Sequence, residues 1–431
     1  MGFSVRIDPQ TNLPATIWVF DHYARAGDGA NTRTFDTFRQ VARHGPKVTI
    51  FASSFSHYSF QETRLSGWKL WQSQTVDGVQ FVWVRTFPYR WNDWRRAVNM
   101  LSYLVVAGAA ALQPRERPEV VVGASVHPFA ALIGYVISSL FGAPFFFLVG
   151  DLWPQTLIEF GRISRDGVTA RVLRALERFL FQRAERIFML WRHTEEYVAS
   201  TGTSPRKVVW VPQGADLDRF TDLPAYDGAA RKPFTVMYLG GFVDGMDIGT
   251  IVGAASELQN RGRSDITFAL VGSSTNKSTW IQRVSELGLK NVTFPPPVPK
   301  DEIARVMRDA DAFIYGVRDL PMYQYGISTN KLVDYLASGR PIIFSGRSTY
   351  DPVAETGAGF SVPPEDPAAV ADAIERLVAL SAAERATMGD RGHAYMLQYH
   401  HAPRLAERVL AHLTQAHARR RARAGRGQKG P

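Results

Sequence analysis

Residues 326–343 read GISTNKLVDYLASGRPII, and the fold turns on that stretch. Ser328, Thr329 and Asn330 are helix N-cap residue types, and Leu332, Val333, Leu336 and Ala337 then share one helical face. Ser338-Gly339 ends the helix through a left-handed cap. Pro341 bars its continuation before the apolar strand Ile342-Ile343-Phe344. Loop, helix and buried strand follow in that order, the repeat of an α/β domain. Such a helix start presents unpaired amides and the positive end of a dipole, and Lys331 adds a full charge beside them. That combination is a natural phosphate site, although a plain, well-capped αβ unit has the same residues. Asp334, on the second turn, is placed to reach a ribose hydroxyl.

The rest of the chain supplies the context. At 431 residues it is too long for one core and divides into two or three domains; 45% hydrophobic and 12% aromatic residues are ample material for them. The absence of cysteine excludes disulfides and thiolate metal sites and fits a reducing compartment. The amino-terminal residues MGFSVRIDPQTNLP lack the apolar core of a signal peptide, so a cytoplasmic location is expected. The net charge of +10 is concentrated at the end, where Arg419, Arg420, Arg421, Arg423, Arg426 and Lys429 crowd together. Residues 418–431 read as a basic, disordered, solvated tail, with contact to an anionic membrane face as the functional alternative. No aromatics interleave these charges, and no nucleic-acid partner is expected.

The uncharged run Val120–Gly150 is long enough to hold a spanning helix, but its punctuation argues against one. Pro128 opens a helical piece, Gly142-Ala143-Pro144 breaks it, and residues 145–149 read as a strand buried on both faces.

From the amino terminus, strand Thr16–Phe20 leads through Asp21-His22-Tyr23 and the glycines around Gly29 to a helix and a second strand at 48–51. This is the opening unit of a doubly wound sheet, and Gly29 lies where ligands collect. The full GxGxxG spacing is missing. Trp91, Trp94, Arg95 and Arg96 then adjoin an apolar helix over 100–112, which suits either a membrane interface or a helix lying over the core. Strand 120–123 delivers His127 to the crevice at its carboxyl end, and Asp151 follows the next strand at the same rim. A Pro-, Gly- and Asp-rich linker follows Gly214. The pattern then restarts: strand 234–239 ends in Gly240-Gly241, strand 266–271 ends in Gly272, and strand 292–294 leads towards Val298. The expected fold is therefore α/β, with two doubly wound Rossmann-like domains facing a cleft. Residues 1–214 are expected to form the first domain, 215–395 the second, 396–417 a carboxy-terminal helix and 418–431 the tail.

The segment VPQGADLDRF at 211–220 resembles the VPNGVDxxRF junction of the retaining family 4 glycosyltransferases of the GT-B fold. FALVGSS, LKNVTFPPPVPKDEI and ADAFIY follow in that family's order, and DHYA, SVHPFAA and DLWPQTL resemble a bacterial subgroup that builds surface polysaccharides. The resemblance covers about Thr16 to Tyr399. It implies a nucleoside diphosphate sugar donor, with a UDP-sugar expected, and no cofactor or metal. It also implies a glycan or lipid-linked acceptor, with peripheral contact at the inner membrane face. Ser328, Thr329, Asn330 and Lys331 would face the diphosphate and Asp334 the ribose. Gly240, Gly241 and Gly272 would let backbone approach the phosphates, the loop at Val298 would read the base, and His127 would touch the donor sugar.

Two departures stand out. The family's EX7E pair falls here on Gly326 and Asp334, so the first carboxylate is missing and Asp319 is a possible substitute. The basic pair that many relatives carry after the first strand of the second domain is replaced by residues 241–246, GFVDGM, leaving Arg318 or Arg33 to compensate. A protein that binds nucleotide sugar without turnover, or a nucleotide-sugar epimerase, are the alternatives.

Overall fold

The computed structural model describes residues 13–26, 33–57, 59–91, 93–113, 116–215, 217–243, 245–273, 276–299, 302–327 and 330–427. Gly29, Ser328 and Thr329 lie outside the described residues, as does the side chain of Asn330. Two compact units divide the chain. The first runs to Gly214 and takes the chain up again from Ala402, and the second is Ala215–His401.

In the first unit, the hydrophobic alternation and the β-branched runs form a sheet with the order Val208–Trp210, Arg186–Met189, Phe145–Val149, Val120–Ser125, Thr16–Phe20, Lys47–Ser53, Val79–Val84, Trp71–Val76. All neighbours pair in parallel except the last two strands, an antiparallel hairpin at the edge. Residues 145–149, FFFLV, are buried throughout, as a strand covered on both faces must be. One face packs against helix Arg33–Ala42 and the returning helix from Ala402; the other packs against helices Trp94–Ala111 and Pro128–Phe141. The uncharged run 120–150 is thus strand, helix and strand. Among the described residues no helix is long and apolar enough to cross a membrane.

The second unit has an all-parallel sheet with the order Val292–Thr293, Ile266–Val271, Phe234–Leu239, Ala312–Gly316, Ile342–Ser345, Gly359–Val362. The switch in strand order falls between Phe234–Leu239 and Ala312–Gly316. Ligands bind at the carboxyl ends of strands at such a point. Both sheets are doubly wound α/β, as the alternation of strand and helix patterns predicts.

The basic end of the chain departs from expectation. Ala402–Gly427 is a single helix, so the segment expected as a disordered tail is helical through Gly427. Leu405, Ala406, Val409, Leu410, Leu413 and Ala416 of this helix are buried in the core of the first unit. Once that packing has nucleated the helix, the following Arg and Ala residues are good helix formers and extend it at little cost. Arg419, Arg420, Arg421 and Arg423 are exposed.

Because the returning helix is a structural part of the first unit, Leu413→Ala, at a site with 0% exposure, is expected to destabilise that unit by about 2–5 kcal/mol. Urea unfolding followed by near-ultraviolet dichroism measures this. An unchanged midpoint would mean that the helix is an appendage.

Candidate functional site

In the second unit the site begins at Gly240, which follows strand Phe234–Leu239 with φ of +153°. A Cβ built there would lie 1.9 Å from Lys331 Cε, so the Lys331 side chain lies directly across the glycine. Behind it, a Cβ at Gly272 would come within 1.9 Å of the Gly240 carbonyl oxygen. The two strand-end loops therefore touch through backbone, and any side chain between them would part them. Gly241 is less constrained; its carbonyl accepts from the Tyr238 hydroxyl at 2.7 Å.

Lys331 stands on the first turn of helix Asn330–Ala337. Burial lowers its ammonium to about 8, and among the described residues it has neither a hydrogen-bond nor an ion-pair partner. What places this helix is Tyr335, one turn on and on the same face as Lys331. Its hydroxyl accepts from the Leu239 amide at 2.8 Å and donates to the Leu239 carbonyl at 3.0 Å, and its ring stacks on Phe313 at 4.4 Å. The helix is thus pinned to the residue before Gly240. Asp334 is half-buried on the preceding position of the helix.

Lys277 Nζ donates to the carbonyls of Gly272, at 2.9 Å, and Pro295, at 2.8 Å. It ties the loop after strand Ile266–Val271 to the loop that leads to the half-buried Val298. Sequence reasoning missed both Tyr335 and Lys277. The i, i+4 spacing from Lys331 was the available signal for the tyrosine, whereas nothing local marks the contacts of Lys277.

Gly326, where the first glutamate of the family pair would stand, has φ of +118°. A side chain there would be strained, so the carboxylate is excluded by the backbone as well as by the sequence. Asp319 lies 3.4 Å from Arg347, and the Arg318 guanidinium is 4.0 Å from Glu365.

In the first unit, His127 precedes helix Pro128–Phe141 and is fully buried. Its Nε2 meets His22 Nδ1 at 2.8 Å, its Nδ1 has no partner among the described residues, and Tyr23 and Trp153 ring it. Burial, aided by Arg96, lowers the His127 imidazole to about 3. Burial and the neighbouring Arg96 and Arg25 lower His57 to about 4, and burial next to His127 holds His22 well below its ordinary value. All three imidazoles are neutral at physiological pH. His57 Nδ1 is hydrogen-bonded to the Tyr89 hydroxyl. Asp151, at the same rim, is pushed up to about 7 by burial, against the pull of Arg33 and Arg96. Asp21 accepts from the Tyr23 amide at 3.0 Å and from the Thr34 hydroxyl.

Arg33, offered above as compensation for the missing basic pair, is engaged within the first unit. Its guanidinium is buried within the first unit, donating to the Val211 carbonyl at 2.7 Å and the Val149 carbonyl at 3.5 Å, with Asp21 and Asp151 nearby. It joins two strand ends. Among the described residues no three His, Asp or Glu side chains are grouped to hold a metal ion.

A family model described as glycosyl transferase 4-like domain matches residues 28–214, and one described as glycosyl transferases group 1 matches residues 233–379. The chain is 22% identical to a protein named a probable glycosyltransferase, WbjE, of Pseudomonas aeruginosa, over 62% of this chain and 68% of that one. It is 20% identical to WcaI of Escherichia coli K12, named for glycosyl transfer in colanic acid biosynthesis, over 83% and 89%. Among solved structures, a sucrose-phosphate synthase from Thermosynechococcus elongatus superposes with a TM-score of 0.69 at 16% identity, covering 91% of this chain and 97% of that one. Anabaena HepE, solved with UDP and glucose, gives 0.63 at 12% identity, covering 92% and 98%.

Tyr335→Phe keeps the stacked ring and removes both bonds to Leu239. It is expected to cost about 1–3 kcal/mol, the penalty of leaving buried backbone groups short of a partner. Thermal unfolding of the variant beside the parent checks this, and equal stability would show that the hydroxyl does not place the helix.

Proposed function

The chain belongs to the family 4 glycosyltransferases of the GT-B fold, and we propose that it is a retaining, metal-independent enzyme. The donor would be a nucleoside diphosphate sugar, a UDP-sugar by preference. The acceptor would be a glycan or lipid-linked precursor in bacterial surface polysaccharide synthesis. The observation that carries this reading is the Lys331 ammonium, desolvated, without a partner among the described residues and lying over Gly240 at the first turn of a helix. A buried cation of that kind is stabilised by a bound anion. The UDP and glucose bound to HepE support the choice of base, and the name of WcaI supports the choice of pathway.

In the reaction, the bond between the sugar C1 and the β-phosphate oxygen breaks with its electron pair going to the diphosphate. The acceptor oxygen bonds to C1 on the same face, and its proton passes to the departing phosphate oxygen. Negative charge grows on the leaving group, so donors fixed in advance around it do most of the work. Lys331 and the helix amides would be those donors, with Asp334 on the ribose. His127, neutral, would offer its unpartnered Nδ1 to the donor sugar. Gly326 favours a second reading, binding of nucleotide sugar without turnover, because the first carboxylate of the family pair is absent.

Incubation with UDP-, GDP-, ADP- and dTDP-sugars in EDTA, with nucleoside diphosphate release as readout, separates the two. Release from one donor in EDTA is expected; binding of a nucleotide with no release from any donor would establish the second reading, and release only on adding a divalent metal would end the metal-independent one. Lys331→Met is expected to lower kcat by roughly 10²–10³-fold, the loss typical of one such donor. His127→Ala should lower kcat with little change in nucleotide affinity. The pH dependence has a definite sign. Lys331 is charged below its value of about 8 and binds the diphosphate there; as pH rises above it, binding must take up a proton, and affinity falls by about tenfold per pH unit until the raised value of the complex is reached. Titration calorimetry from pH 6 to 10 should show this limb in the parent and lose it in Lys331→Met.

A further inference from the structure

Helix Trp94–Ala111 buries Asn99, Met100, Tyr103 and Ala107 against the sheet of the first unit, as an amphipathic surface helix should. Its other face is not polar. Trp94 is 66% exposed, Leu101 49% and Val105 65%, Leu112 follows the last turn on the same side, and no charged residue occurs after Arg96. The surface helix is therefore apolar on the side that faces water.

Two loops tied to the helix region add exposed apolar side chains. Trp68 is 98% exposed and Trp91 71%, with Phe87 and Leu70 beside them. Hydrogen bonds hold these loops to the helix region. The Arg85 amide donates to the Leu70 carbonyl, and the Arg85 guanidinium donates to the carbonyls of Lys69 and Gly67. The Phe87 amide donates to Ser102 Oγ, and Asn99 Nδ2 donates to the Phe87 carbonyl, both from the helix. Exposed single hydrophobics are ordinary; a helix face and two loops tied to its region that together expose three tryptophans are not.

The charges around the stripe have one prevailing sign. Lys69, Arg90 and Arg95 are exposed, and Arg95 lies over the Trp94 ring at 5.6 Å. The one acid among residues 85–112, Asp93, caps the helix by accepting from the Arg95 amide and lies 3.9 Å from the Arg95 guanidinium, so Lys69 and Arg90 carry the uncompensated charge here. We propose that this surface docks on an anionic lipid bilayer, with the rings of Trp68, Trp91 and Trp94 at headgroup depth, the cations against lipid phosphate and the helix stripe below them. Indole rings sit at headgroup depth, and cations of one sign beside them meet the phosphates of an anionic leaflet. The same loop carries Tyr89, bonded to His57 at the strand-end rim. Docking therefore brings lipid to the edge of the rim that holds His127, which suits a lipid-linked acceptor; only that last consequence rests on the transferase reading.

The full chain is sedimented with vesicles of equal parts phosphatidylglycerol and phosphatidylcholine, and with phosphatidylcholine alone, with quenching of tryptophan emission by brominated lipid as second readout. The parent is expected to bind the anionic vesicles and to be quenched. The triple variant Trp68→Ala/Trp91→Ala/Trp94→Ala should bind at least tenfold more weakly, and Arg90→Gln/Arg95→Gln should lose the preference for anionic lipid. A variant with Arg419, Arg420, Arg421 and Arg423 all changed to Gln should bind as the parent does. Circular dichroism establishes that each is folded, and release of nucleoside diphosphate from soluble donor should be unchanged in the triple variant, so failure of docking and failure of transfer are read separately. The proposal is overturned by a parent that stays in solution with both vesicles, by a triple variant that binds as the parent does, or by loss confined to the variant of the carboxy-terminal arginines. Self-association that the triple variant abolishes, without lipid binding, would assign the face to a second copy and overturn it too.

Discussion

The second unit is organised by the passage of one lysine side chain over one glycine. Lys331 can lie where it does because Gly240 has no Cβ, Gly272 allows the loop behind Gly240 to close up, and Tyr335 grips both backbone groups of Leu239. Each of these is a short-range constraint, and together they put a cation, desolvated enough to fall to about 8, at the carboxyl end of the central strand. A cation held this way disfavours the empty state of the site. The same desolvation that makes it costly in the free protein strengthens its attraction for a phosphate, because fewer waters screen the pair.

The first unit solves a different problem. Its strand-end rim holds His22, His57 and His127 neutral by burial and by nearby arginines, and burial pushes the Asp151 carboxyl up to about 7. The neutral imidazoles give and accept hydrogen bonds without carrying charge, which suits recognition of hydroxyl groups. The contact of His127 Nε2 with His22 Nδ1 also links their tautomers: whichever ring donates, the other accepts, and the state of the unpartnered His127 Nδ1 follows from that choice. The desolvated cation of the second unit has no counterpart among these imidazoles, which the arginines beside them help to keep neutral.

Much of this was legible locally. Strands 234–239, 266–271 and 145–149 have the bounds that their apolar runs and flanking Gly and Pro predict, and the helix after Asn330 stops at Ser338-Gly339 as expected. The doubly wound α/β class follows from that alternation alone. What escaped depended on partners distant in sequence. Tyr335 and Lys277 act through backbone groups that no motif advertises, and Arg33 joins strand ends more than a hundred residues away. The hairpin Trp71–Val84 hides its edge strand because WQSQTV has few apolar residues to mark it. The terminal arginines read as a solvated tail because charge density reports on solvation, while the helix they extend is nucleated by Leu405 to Ala416 upstream.

Gly326 shows how a departure from a family pattern is to be weighed. Taken as a substitution, the loss of a glutamate is a loss of one carboxylate. Taken with its φ of +118°, it is a change in the loop, whose course is set by Tyr323, Ser348 and Thr349: the Gly326 amide donates to the Tyr323 carbonyl at 3.1 Å, Ser348 Oγ donates to the same carbonyl at 2.9 Å, and Thr349 donates to Gln324. A carboxylate close to a departing diphosphate would repel it, so its absence would not weaken the charge stabilisation proposed for Lys331 and the helix amides. On the reading proposed above, the donors to the leaving group do not include that carboxylate, and the grip on the transferred sugar would fall to other side chains, among which the neutral His127 keeps one ring nitrogen without a partner among the described residues.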